Sequence, residues 1–502
     1  MKRFFAVCAA AALLVPSTLA FAGCADKDSS VVLRVSNWEE YIDLGEWEDD
    51  ELIDIGEDGI IGVNSMVDDF TEWFNSTHDF KVRVEYSTFG TNEDLYNRLK
   101  LGDVYDLVCP SDYMLMKLIA EEAFVEFSDA FWDTSVEENY YANNVSGYID
   151  GADGEGIFND EEYNWHKKAA CYMWGTTGIV YNPEEVPAED VSGWDILLNE
   201  EYNRRVTAKD NVRDAYFATL GIINKDKLSG ADKAERSAIL NDTDDGTISR
   251  AQEVLKSIKD NVYSFETDSG KADMVTGKVV ANYQWSGDAV YIMDEADADE
   301  TELWYSVPDE CTNLWFDGWM MLKDGIGGNE RRQTAAEAFV NFLSRPDNAV
   351  RNMYYIGYTS AIAGETVFEY MDGNYGAEED EEQTISYDLS YFFGEDSVLT
   401  VGAADFEVAA GGGINRGRQL FAQYPPQNVI DRSVVMLDFG EKLADINRMW
   451  INVRCPDLKD FSPVTVGVVA ALCAAAAAGV CLYVFRYRLF IDYRPKKGFE
   501  KV

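Results

Sequence analysis

Apolar positions along this chain follow two alternating rhythms. Short β-branched or aromatic runs are separated by longer stretches in which apolar residues return every three or four positions. VVLRVSNW (residues 31–38) predicts a strand running out into a loop, KVRVEYST (81–88) an alternating strand, and YDLVCPSDY (105–113) a buried strand broken by Pro110. CYMWGTTGIVYN (171–182) reads as a strand interrupted by Gly175 and Gly178, and GWMMLKD (318–324) as a further strand. Between them, MVDDFTEWFNSTH (66–78) is helical with Phe70 and Phe74 on one face, and NEDLYNRLKLG (92–102) is a helix ending at glycine. RRQTAAEAFVNFLSRP (331–346) is a helix stopped by Pro346. Such alternation predicts an α/β fold. Two stretches, 46–62 and 375–383, are poor in core positions and predict solvent-exposed loops inserted between these units.

The rhythm differs at the two ends. Residues 1–23 have a basic lead, an apolar core and small residues at a cleavage point, the pattern of a secretory signal. FAGC offers a second processing route, with lipid carried on Cys24. Residues 464–485 hold no charge over 22 positions. As a helix they would reach roughly 33 Å, enough to cross a hydrocarbon core. The basic tail 486–502 should then stay cytoplasmic, leaving the body on the outer face of the cell membrane, periplasmic or at the cell surface.

Composition narrows the function. At 502 residues, 47% hydrophobic and 13% aromatic, the chain can bury a large core. A formal net charge of −49 excludes nucleic acid as a partner, since phosphate binding needs the opposite sign. His78 and His166 are the only histidines and lie in no motif, which rules out a histidine-rich metal site. Cys109, Cys171, Cys311 and Cys455 are too few and scattered for a disulfide framework, although one bridge could form among them. NDTDDGTISRAQ (241–252) imitates a calcium loop, but has Asn241 and Thr243 at the first and third ligand positions and Gln252 where a glutamate belongs. It reads better as an acidic turn capping the helix that follows. SGKADMVTGKVV (269–280) has the wrong glycine spacing for a phosphate loop, and no G-x-S-x-G nucleophile elbow is present. Neither metal nor cofactor is expected, and no enzyme activity.

A different grammar recurs. NLWFDGWMML (313–322) sets Asp317 among Trp315, Phe316 and Trp319; SNWEEY sets Trp38 and Tyr41 around Glu39 and Glu40. PSDY holds Asp112 between Ser111 and Tyr113, YQWSGD places Tyr283 and Trp285 near Asp288, and IGYTS brings Tyr358. Each is expected where a strand runs out into a loop, the end at which open α/β sheets place ligands. Aromatic faces attract ammonium groups, carboxylates accept their hydrogen bonds, and aromatic walls pack on methylene stems. An aliphatic amine asks for all three. Sugar stacking is the rival reading, since Trp and Asp also line carbohydrate sites.

In order along residues 31–455, these blocks together with VEYSTFGTNEDLYNRLKLGDVYDLV, YMWGTTGIVYN, GWDILLNEEYNRRV and AFVNFLSRPDNA resemble the spermidine/putrescine-binding proteins of bacterial ABC importers. The resemblance implies a two-lobed, hinge-closing periplasmic-binding-protein fold of type II. Lobe 1 would comprise residues 30–175 with 316–366, and lobe 2 residues 180–311 with 372–458. The chain would cross near 175–179, 311–315 and 365–371. The family's ligand residues fall on Trp38, Tyr41, Ser111, Tyr113, Asn211, Asp214, Trp285, Trp315, Asp317 and Tyr358. Asp317 would grip an amine and the aromatics would form the walls. Two positions depart from the family: one of its acids is replaced by Asn211, with Asp210 beside it, and a late glutamine falls on Met436. The resemblance implies capture of a polyamine and delivery to a membrane permease. A same-fold receptor for a quaternary ammonium compound, and a surface carbohydrate-binding or glycosidase protein, are the alternatives.

Overall fold

The computed structural model describes residues 30–455 apart from 49–50, 56–58, 152–153, 155, 268, 379–380 and 410–411. The expected signal (1–23), Cys24, the apolar segment 464–485 and the tail 486–502 lie outside the described residues. Among the described residues no helix is long and apolar enough to cross a membrane.

β1 (Val31–Trp38) pairs in parallel with β2 (Val82–Phe89) along its full length, and with β3 (Leu107–Val108) on its other side. Parallel neighbours need helical crossovers. The helix Met66–Thr77 supplies the first: Ser65 caps it by accepting the Asp68 N–H, and Phe70 and Phe74 face the core. The helix Asn92–Leu101 supplies the second, capped by Thr91 and ended by Gly102 in the left-handed region. β4 (Phe124–Val125) and the long β5 (Ala170–Tyr181) follow. A second parallel group is formed by β6 (Val206–Lys209), flanked by β7 (Ser264–Glu266) and β8 (Ala281–Trp285). β9 (Trp304–Ser306) and β10 (Thr312–Leu322) complete the central part.

β5 ties the two groups together by changing partners midway. Ala170 to Thr176 pair with β10, whose far end, Met320 to Leu322, reaches β3 and β4. Thr177 to Tyr181 pair with β8, and Ile179 to Tyr181 also with β9. β11 (Thr359–Ser360) adds to the first half of β5, while β12 (Thr384–Asp388) and β13 (Val398–Gly402) form a separate hairpin. β14 (Phe406–Val408) and β15 (Ile414–Gly417) extend β9, and β16 (Ser433–Val434) pairs with the start of β10. The chain divides into units Met1–Ile446 and Asn447–Val502; the described residues of the second complete the helix Leu443–Arg454.

Several local expectations change. β5 is a continuous, wholly buried strand through both glycines. Each glycine is there for close approach: a Cβ on Gly175 would lie 2.6 Å from the Trp315 ring, and one on Gly178 2.5 Å from the Ser306 carbonyl. β10 starts six residues before GWMMLKD, so Asp317 lies inside a strand and not where one runs out. Pro346 opens a new helix, Pro346–Ile356, at its first turn, where its missing N–H costs nothing. The stretch 46–62 is not simply exposed, because Trp47 and Ile60 are buried. Trp47 packs on Tyr354 at 4.8 Å and donates its indole N–H to Asp43 at 3.0 Å. The four cysteines expected to offer one bridge are all free. Of residues 241–252, only 241–244 form an acidic turn, since the helix Asp245–Asn261 already takes in the rest; Asp242 accepts the Asp244 N–H and the Thr247 hydroxyl.

Candidate ligand-binding site

β10 carries Trp315 and Asp317, and its register on β5 shifts between Asp317 and Gly318. A bulge of this kind re-aims a side chain, which removes Asp317 from the regular inward–outward alternation. The loop after β3 meets it through a bridge between Ser111 and Asp317. Tyr41, three residues beyond β1, donates its hydroxyl to Asp317 Oδ2 at 2.8 Å. Asp317 Oδ1 is buried and has no hydrogen-bond partner. Burial pushes this carboxyl up to about 6, partly offset by the Ser111 and Tyr41 hydroxyls.

Aromatic rings lead on from Tyr41. Tyr358 meets Tyr41 edge-on at 4.9 Å and Trp315 at 5.7 Å. The Trp315 indole N–H donates to the Thr176 carbonyl at 3.0 Å, which fixes its ring at the place where β5 changes partners. Tyr358 in turn lies on Gly287, where a Cβ would come within 2.3 Å of the ring.

Tyr358 leads to a second group of acids. Its hydroxyl donates to Asp288 Oδ1 at 3.0 Å, on the first turn of the helix Ser286–Ala298. Lys271 Nζ lies 3.5 Å from the same oxygen, and Lys209 Nζ 3.7 Å from Asp288 Oδ2. Lys209, at the end of β6, is fully buried with its ammonium 3.3 Å from the centre of the Trp285 ring. Asp214 is pushed up to about 6 by burial, with Lys209 and the Trp285 indole opposing the rise.

The loop after β3 builds a third group. Asn92 donates to Ser111 at 3.1 Å and to the Tyr113 hydroxyl at 2.9 Å, and that hydroxyl donates to Glu93 at 3.3 Å. Asp112 accepts the backbone N–H groups of Tyr113 at 2.6 Å and Phe316 at 3.3 Å; burial still carries it up to about 8. The Arg213 guanidinium stacks 3.8 Å from the Tyr113 ring and 4.0 Å from Phe439, and donates to the Leu437 carbonyl.

Of the residues singled out in the sequence, Asp317, Tyr41, Tyr358 and Trp315 form a chain of contacts in that order, and Trp285 joins Tyr358 through Lys209 and Asp288. Trp38 packs its ring on Phe89 at 4.8 Å. Asn211 caps the helix Val212–Leu228, its side chain accepting the Arg213 N–H at 2.8 Å. Met436 is buried. Sequence reasoning passed over Asn92, Lys209 and Arg213. Lys209 was visible as a lone charge ending the apolar VTAK, and Arg213 as a cation between Asn211 and Asp214. Among the described residues no group of three or more His, Cys, Asp and Glu could hold a metal ion.

A family model described as "Bacterial extracellular solute-binding protein" matches residues 65–366. The chain is 27% identical over 284 residues to the spermidine/putrescine-binding periplasmic protein of Salmonella typhimurium strain LT2, covering 56% of this chain and 71% of that one. It is 26% identical over 349 residues to the protein of the same name from Escherichia coli strain K12, covering 69% and 82%. The substrate-binding protein of a spermidine/putrescine ABC transporter from Streptococcus pneumoniae superposes with a TM-score of 0.52 at 23% identity, over 85% of this chain and 99% of that one. A lipoprotein of Treponema pallidum superposes with a TM-score of 0.53 at 15% identity, over 84% and 99%. The structural likenesses establish the α/β fold of periplasmic binding proteins.

Proposed function

Because the chain belongs to the bacterial extracellular solute-binding protein family, we propose that it is the extracytoplasmic receptor of an ABC importer that captures polyamines and hands them to a membrane permease. The observation that carries this reading is Asp317: a buried carboxylate with one oxygen lacking a hydrogen bond, held by the Tyr41 hydroxyl, with Tyr358 packed on Tyr41 and Trp315 on Tyr358. An ammonium placed there would satisfy Oδ1 by a charge-assisted hydrogen bond and would lie against aromatic faces. Its methylene stem would gain about 0.8 kcal/mol per buried CH₂. Relatives named for spermidine and putrescine support the same ligand class.

Under this proposal residues 30–175 with 316–366 make one lobe and 180–311 with 372–458 the other, joined through β5 and β10. In this reading the partner change at Thr176 and Thr177 is the hinge. Ligand favours the closed form by whatever it binds more tightly there. The signal pattern at 1–23, Cys24 and the uncharged 464–485 support a receptor held at the outer face of the membrane, with 486–502 inside. Such an anchor raises the receptor's effective concentration beside its permease.

The test is a ligand panel read by tryptophan fluorescence and by thermal unfolding. Putrescine and spermidine should shift both at micromolar concentration, while choline and simple saccharides do not. A response to choline alone would replace the polyamine by a quaternary ammonium ligand. A response to saccharides alone would overturn the cationic reading.

A further inference from the structure

The acids around Asp317 are not equally available to a ligand. Neither Asp317 Oδ1 nor Asp288 Oδ2 accepts a hydrogen bond, but Asp288 already faces two ammonium groups of the chain itself, Lys271 at 3.5 Å and Lys209 at 3.7 Å. Trp285, one of the expected aromatic walls, has the Lys209 ammonium 3.3 Å from its ring centre. Tyr113, another expected wall, has the Arg213 guanidinium at 3.8 Å. Both cations come from the segment following β6, at its last residue and on the first turn of the next helix. A ligand ammonium asks for what Lys209 takes: an aromatic face, a carboxylate within reach and a desolvated position.

We infer that Lys209 is a specificity-determining residue, an internal ammonium that fills the Trp285–Asp288 end of the slot and so limits the ligand to a short amine held at Asp317. This rests on the polyamine reading above. It says that the chain's own side chain takes the position a third amine would need, so a triamine must either displace a buried lysine or leave an ammonium beside it. Like charges brought together in a desolvated site disfavour the longer ligand, which is specificity by repulsion. Putrescine is therefore bound more tightly than spermidine.

The experiment is calorimetric titration of the full-length protein in mild detergent with putrescine and spermidine, for wild type, Lys209→Met, Lys209→Gln and Lys209→Arg. Unfolding midpoints are measured first. Met and Gln remove the charge in different ways, so a folding defect in one leaves the other to decide. The wild type should favour putrescine, and both neutral variants should shift the spermidine-to-putrescine affinity ratio at least about tenfold toward spermidine, about 1.4 kcal/mol. Lys209→Arg should keep the wild-type ratio. If all four proteins bind both amines with one unchanged ratio, the role of Lys209 is overturned while the polyamine reading stands. If none binds either amine, both fall.

Discussion

Asp43 and Asp317 are both buried aspartates among aromatic residues, and they differ in how their oxygens are used. Asp43 Oδ1 accepts the Gly45 N–H at 2.7 Å and the Trp47 indole N–H at 3.0 Å, and Oδ2 accepts Arg351 Nε. Arg351 also reaches Asp69 at 2.6 Å and the Asn64 carbonyl, so acid and base are both satisfied within the chain. Asp317 has the Tyr41 hydroxyl on Oδ2, while Oδ1 accepts no hydrogen bond, with the Ser111 hydroxyl nearby. A buried acid with its donors complete fastens the fold; in the proposed reading, Asp317, left incomplete beside Tyr41, is held ready for a cation from outside. Burial itself does not separate the two, because both side chains are almost wholly enclosed.

The contrast can be broken first at Asp43. Asp43→Ala leaves the buried Arg351 without its main partner and should cost about 3–5 kcal/mol of unfolding free energy in denaturant titration. Amine affinity of the folded protein should be unchanged. Trp315→Leu should act the other way, with a smaller loss of stability and a loss of about 0.5–2 kcal/mol in amine binding by calorimetry, the range for an ammonium on an aromatic face.

The pH dependence sharpens the contrast further. Asp317 sits at about 6, above its ordinary 3.8, so below pH 6 it holds a proton that an incoming ammonium must expel. Amine affinity should fall about tenfold between pH 7.5 and pH 5, with proton release detectable in buffers of different ionisation enthalpy. The ligand-free protein should respond oppositely. Asp112 at about 8, and Asp214 and Asp317 at about 6, give the folded chain more bound protons than the unfolded chain between pH 4 and 8. These groups should make apo stability rise as pH falls from 8 to 5.5, by a larger margin than the tenfold change in affinity, in denaturant titrations at the two pH values.

Much of this was legible in the residues. The apolar periodicities of 31–38, 66–78 and 92–102 correspond to β1 and its two crossover helices, because local pattern and tertiary burial agree there. The rings around Asp317 were equally visible, since they are its neighbours in sequence or belong to blocks of the same type. β5 was misread as interrupted because glycine is a breaker only where nothing presses against it, and Trp315 and Ser306 press against these two. Trp47 was placed in an exposed loop because its acidic neighbours outnumber it, whereas its partner Tyr354 lies far along the chain. The role of Lys209 was hidden for the same reason. A lysine at a strand end is ordinarily a surface charge, and only the pairing of β6 with β8 brings it under Trp285.

The central claim, that Asp317 is held ready for a cationic nitrogen, is tested most directly by one side-by-side calorimetric titration. Wild type and Asp317→Asn, both full length in mild detergent at pH 7.5, are titrated with putrescine. The account predicts saturable binding of wild type at micromolar concentration or tighter, about −8 kcal/mol or stronger. It predicts at least a hundredfold loss in the variant, with the unfolding midpoint unchanged or raised. Equal binding by the two proteins would contradict it.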